Sequence, residues 1–183
     1  MILVRADQEK SIKNATESRI MKIAIFTEGT VLMHQNAVGC TRNEIVQQVI
    51  NKDVSVKDYA SYVPIKKATE KIQKWSSQGA EIIYMTSRKE QKEVDEIQNV
   101  LNRGHFPKGV LEYRRGNDEY KDVAERILPD ILIEDDCESI GGVSEMTYPH
   151  INSGLKEEIK SITVKEFYGI DHLSDDITVL RSS

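Results

Sequence analysis

Short apolar runs alternate with amphipathic helical patterns along this chain, and that alternation restricts the fold more than any other feature. Ile23-Ala24-Ile25-Phe26 is an unbroken apolar run of strand length, as expected of a strand buried on both faces. Ala80–Met85, Val110–Tyr113 and Ile131–Ile133 repeat it downstream, and Ile162–Val164 reads as a last strand. Between the runs, apolar residues recur at helical spacing: Ile65, Ala68, Ile72 and Trp75, then Val94, Ile97 and Leu101, then Tyr120, Val123, Ala124, Ile127 and Leu128. Strand–helix–strand units of this kind cross over right-handed into a parallel sheet covered on both faces. The expected class is α/β, a three-layer Rossmann-like parallel sheet.

Caps and breakers divide the chain further. Thr41 followed by Glu44 is a capping box, opening a helix that would bury Ile45, Val46, Val49 and Ile50. Ser87 and Glu90 predict a second capping box, ahead of the helix that carries Val94. Gly79 and Pro129 stop the helices before them. Residues 33–63 then read as a small helical cap insertion placed over the tip of the first strand, within a domain spanning 21–183. Residues 1–20 are polar after the first four and read as a peripheral or non-native N-terminal extension. Residues 169–183 predict no element.

Bulk properties exclude several function classes. The 183 residues suit one domain, and 39% hydrophobic with 30% charged residues excludes disorder. A net charge of −5 supplies no basic field, so neither nucleic acid nor a membrane surface is the expected partner. No apolar run approaches the roughly 20 residues of a membrane span. Cys40 and Cys137 are too few for a disulfide framework, and a reducing cytoplasm is the expected compartment.

The polar residues ending each apolar run are the candidate site, because ligands of open α/β sheets bind outside the carboxyl ends of strands. The first run ends in Thr27-Glu28-Gly29-Thr30, the second in Thr86-Ser87-Arg88, the third in Arg114-Arg115 and the fourth in Glu134-Asp135-Asp136. If the first and fourth tips are neighbours, four acidic side chains converge. Each group also has a plainer reading: Asp135 and Asp136 as a helix's first turn, Ser87 as an N-cap, and Lys121 as a solvated charge. His34 reads most simply as an exposed loop histidine. Cys137 reads as a small buried residue, since no histidine is placed to activate it.

This order of tips resembles the haloacid dehalogenase-like superfamily, mostly phosphatases and other phosphoryl-transfer enzymes. FTEGT stands for the family's first motif, YMTSR for its second and LIEDDCESIGG for its last, and the resemblance covers roughly Lys22 to Gly142. It implies a site in which Glu28 is the acid–base group and Asp135 and Asp136 hold Mg²⁺. It further implies that Thr27, Gly29, Thr30, Thr86, Ser87, Arg114 and Arg115 contact a small phosphorylated or anionic molecule. In that family an aspartate attacks phosphorus and becomes an aspartyl phosphate, while the metal and the hydroxyls stabilise the phosphoryl oxygens.

One departure is decisive for chemistry. Aligning Gly29-Thr30 with the family's Gly-Thr places Phe26 in the nucleophile's position. A phenyl ring neither attacks phosphorus nor ligates magnesium. The expectation is a pseudoenzyme-like binder of a small phosphorylated or anionic ligand or of Mg²⁺. One alternative is a Mg²⁺-dependent phosphatase using water activated by Glu28, Asp135 and Asp136. Another is a structural homo-oligomer with a vestigial pocket.

Overall fold

The computed structural model describes residues 19–182, so the expected extension lies outside the described residues but for Arg19 and the exposed Ile20. Strands β1 (Lys22–Phe26), β4 (Glu81–Met85), β5 (Val110–Glu112), β6 (Ile131–Asp135) and β7 (Lys160–Val164) build the main sheet. Their order is β5-β4-β1-β6-β7, every neighbouring pair parallel. The three-layer α/β expectation therefore holds. Sequence order reverses at β1, which opens a crevice at the carboxyl ends of β4, β1 and β6.

Alternation along β1 explains the layers. Ile23 and Ile25 face one side, joining Ala68, Ile72 and Trp75 of α2 (Ala68–Ser77) and Ile97, Val100 and Leu101 of α3 (Gln91–Arg103). Ala24 and Phe26 face the other, against Val123 and Ala124 of α4 (Tyr120–Ile127). Trp75 is fully buried, and burying a side chain of that size contributes about 3 kcal/mol.

Between β1 and α2 the chain runs through a small subassembly. The antiparallel pair β2 (Leu32–Met33) and β3 (Val63–Pro64) closes its base. Helix α1 (Arg42–Ile50) and three 3-10 turns, Gln35–Ala37, Val54–Lys57 and Tyr59–Ser61, form the rest. The Thr41–Glu44 capping box is present. Ile45 and Val46 are buried, whereas Val49 is half-buried and Ile50 exposed, so the apolar stripe is narrower than expected.

Two further expectations are corrected. The Ser87–Glu90 capping box does not form: α3 begins at Gln91 with Glu90 as its N-cap, and the Ser87 hydroxyl is engaged elsewhere. The tail that predicted no element packs across the sheet, where Ile170, Ile177 and Leu180 join the core. The Trp75 indole N–H donates to Ser174 O (2.9 Å), and Lys74 pairs with Asp175 (2.6 Å). These contacts lie about a hundred residues apart in sequence, beyond the reach of local pattern. The 3-10 turns Gly142–Glu145 and Tyr148–His150 and the short helices α5 (Ser153–Lys156) and α6 (Ile177–Ser182) complete the element order. No helix among the described residues is long and apolar enough to cross a membrane.

Candidate functional site

The β1 tip is held by its own backbone. Val31 N–H and Leu32 N–H both donate to Thr27 O (2.9 and 2.8 Å), and Gly29 has φ +82°. A Cβ on Gly29 would lie 2.8 Å from Asp135 Oδ2. Glycine is therefore required twice, for the left-handed turn and for the approach of β6. Ile25 stands opposite Ile133 in the β1–β6 register, so the first and fourth tips are neighbours as expected.

Glu28 turns toward β4. Its carboxylate accepts from the Thr27 hydroxyl, from Thr86 Oγ1 (2.8 Å), from Ser87 Oγ (3.2 Å) and from the Ser87 backbone N–H (3.4 Å). Arg88 Nε pairs with it at 3.0 Å. Five donors thus converge on one carboxylate, in the way donors gather around a bound oxyanion. Arg88 also bonds the Tyr59 hydroxyl and lies 4.4 Å from the centre of that ring, tying the strand tip to the turn Tyr59–Ser61. Burial works against the charge on Arg88, but the Glu28 carboxylate holds its pKa above the ordinary guanidinium value.

Phe26 ends β1 and packs edge-on against Tyr120 of α4, ring centres 5.5 Å apart. It lines a cavity of about 190 Å³ between the strand tips and the subassembly that follows β1. Tyr59 and Tyr62 line it from the subassembly, and Phe167 lines it from beyond β7. Glu28, Glu134, Asp135 and Glu166 face the same space.

The β6 carboxylates separate. Asp135 accepts from Thr30 Oγ1 (2.7 Å) and Cys137 N–H (3.0 Å), and burial raises its pKa to about 6. Glu134 accepts from the backbone N–H groups of Thr147 (2.6 Å) and Tyr148 (2.9 Å), and burial raises its pKa too. Asp136 leaves the cavity, pairing with Lys165 (2.9 Å) and Arg42 (3.8 Å). Against the penalty of partial burial, the Glu166 N–H and Lys165 hold its pKa below the usual carboxylate range. Convergence thus involves three of the four acids, joined by Glu166, which the sequence did not flag.

The basic candidates are displaced. Arg114 stacks 3.8 Å from the Tyr120 ring centre and donates to its hydroxyl (3.0 Å), outside the cavity wall. Arg115 is exposed and lies over Tyr113. The side chain that reaches Glu28 is Arg88, three residues beyond β4. Its signal was its place directly after Thr86-Ser87, which a helix-cap reading of Ser87 obscured. His34 is fully buried, not exposed, with Nε2 at 2.9 Å from Gln48 Oε1. Burial raises the Cys137 thiol pKa, leaving it protonated and inert at neutral pH.

Mg²⁺ fits these residues poorly. The last residue of β1 is the phenylalanine Phe26, Asp136 is committed to cations, and Asp135 to Thr30 and Cys137. Among the described residues no group of three His, Cys, Asp or Glu side chains could hold a metal ion.

No family model matches the sequence, and no curated protein does. Solved structures do. A class C acid phosphatase from Bacillus anthracis with tungstate bound is 13% identical with a TM-score of 0.52, over 90% of this chain and 75% of that one. A second structure of the class C acid phosphatase from Bacillus anthracis is 15% identical at the same TM-score of 0.52, over 97% and 83%. At such identities the likeness speaks for architecture alone: the chain has the haloacid dehalogenase-like fold.

Proposed function

We propose that this chain binds a small phosphorylated or otherwise anionic ligand without the covalent step of haloacid dehalogenase-like phosphatases. The observation that carries this reading is the pair of side chains at the β1 tip. Phe26 has no lone pair with which to attack phosphorus, and two residues on, Glu28 gathers five donors into an anion cradle. Thr86, Ser87 and Arg88 are the ligand's anchors, and Glu28 is an internal anion that holds their place until it is displaced. The oxyanion tungstate in the similar phosphatase is in keeping with such a cradle. Two free thiols, Cys40 and Cys137, suit a reducing cytoplasm.

Inorganic phosphate titrated into the full chain by calorimetry tests this. Glu28→Ala is expected to bind it about tenfold more tightly than the parent, because an internal competitor is gone. Adding Arg88→Ala to that variant is expected to remove the gain. Equal phosphate affinity with and without Glu28 overturns the cradle. Mg²⁺-dependent release of phosphate from a generic ester, abolished by Asp135→Asn, overturns the non-covalent binder in favour of water-based hydrolysis.

A further inference from the structure

The anion cradle shares its cavity with a second kind of surface. Glu28, Ser87 and Arg88 take up one part of the wall. Much of the remainder is carbon: Phe26 from the end of β1, Val49, Val56 and Tyr62 from the subassembly, and Ile140 from the segment after β6. Phe26, Val49 and Val56 are only half-buried, and Ile140 is 61% exposed. Val56 and Ile140 join none of the apolar clusters of the core among the described residues. Apolar surface gathered on one cavity wall and left open to water is the surface that an apolar occupant would cover.

The acids on the same wall restrict what that occupant is. Glu134, Asp135 and Glu166 face the cavity with their oxygens bonded by backbone N–H groups and by the hydroxyls of Thr30 and Ser139. A second anionic group set among them would meet like charge in a region of low dielectric. An uncharged carbon group meets no such repulsion. Size narrows the choice again. An apolar cavity of roughly 150 Å³ admits one benzene ring, and this one measures about 190 Å³, room for one such ring beside the cradle.

We infer that the ligand of this cavity is an aryl-bearing anion, its phosphoryl or similar head at Ser87 and Arg88 and one uncharged aromatic ring against Phe26, Val56 and Ile140. The head rests on the anion cradle proposed above, whereas the ring rests on the apolar wall, which the cradle does not use. Aromatic neighbours favour a ring over an aliphatic chain of equal area, because ring–ring contacts add to the burial itself, and Phe26, Tyr59 and Tyr62 all line the space. Phe26 then has a use of its own: at the tip of β1 it supplies the wall that the ring packs on.

Calorimetry of the full chain with phenylphosphonate against methylphosphonate tests this, since the two share a head and differ in the ring. Phenylphosphonate is expected to bind about tenfold more tightly. Val56→Ser and, independently, Ile140→Ser remove apolar wall at positions outside the core clusters, and each is expected to cut that ratio to about threefold. Equal affinities, or a ratio untouched in both variants, overturn the inference and leave the cradle standing. Benzyl alcohol, which carries the ring without an anion, separates the two claims. If it raises Tm while neither phosphonate binds, the cradle falls and the place of the ring stands. No binding by any of the three overturns the ring together with the cradle.

Discussion

The two flanks of the β1 tip treat buried carboxylates in opposite ways. On the β4 flank, Glu28 meets a guanidinium and two hydroxyls, and its charge is balanced where it stands. On the β6 flank, Asp135 meets a hydroxyl and an amide, which bond it without neutralising it. Hydrogen bonds alone leave a desolvated anion costly, whereas an ion pair with good geometry offsets that cost. The difference teaches which half of the crevice balances a buried charge with a cation and which holds it on neutral donors.

Merging the two flanks at their contact point is expected to have the largest effect. Gly29→Ala places a Cβ against Asp135 Oδ2 at 2.8 Å with φ at +82°. The strained backbone and the clash together are expected to cost about 4 kcal/mol, read by chemical denaturation. A loss under about 1 kcal/mol would show that the tips move apart freely.

Next in size is the charge on the β6 flank. The pKa of Asp135 is raised by burial from 3.8 to about 6. A group whose folded pKa exceeds its unfolded one contributes fully below the unfolded value and loses that contribution as pH rises through the folded one. Stability is therefore expected to fall by about 2 kcal/mol between pH 4 and 7 on this account. Asp135→Asn should flatten that slope, and an unchanged slope would remove the uncompensated charge from the comparison.

The smallest effect sharpens the contrast one residue along. The pKa of Asp136 is lowered, held down against partial burial by the Glu166 N–H and Lys165. Its contribution is present above its unfolded pKa and is lost as pH falls through the folded value, the opposite sign to Asp135. Asp136→Asn is expected to cost about 0.5–1 kcal/mol at pH 7 and nothing near pH 2. Opposite pH slopes in the two asparagine variants would show that adjacent acids serve different flanks.

Much of the sheet was legible because strand and helix periods are local. Ile65, Ala68, Ile72 and Trp75 are all buried as their spacing implies, and the tips of β1 and β6 lie side by side. Ser87 was misread because a serine three residues before a glutamate satisfies a capping pattern equally well. Only the Glu28 carboxylate, 59 positions away, draws its hydroxyl elsewhere. Arg114 was misread because a basic pair at a strand end looks aimed at a crevice, while the Tyr120 ring captures its guanidinium. Glu166 gave no signal, lying beyond the last strand in a segment without period.

By itself the chain's pattern determined the layers and the parallel strands, since each follows from residue type at fixed local spacing. Tertiary structure alone decided which charges meet. Glu28 finds Arg88, Asp136 finds Lys165, and Asp135 finds no cation among the described residues. Pairing of buried charges depends on side-chain direction and on contacts closed across the sheet, and neither is written in the order of residues along a strand.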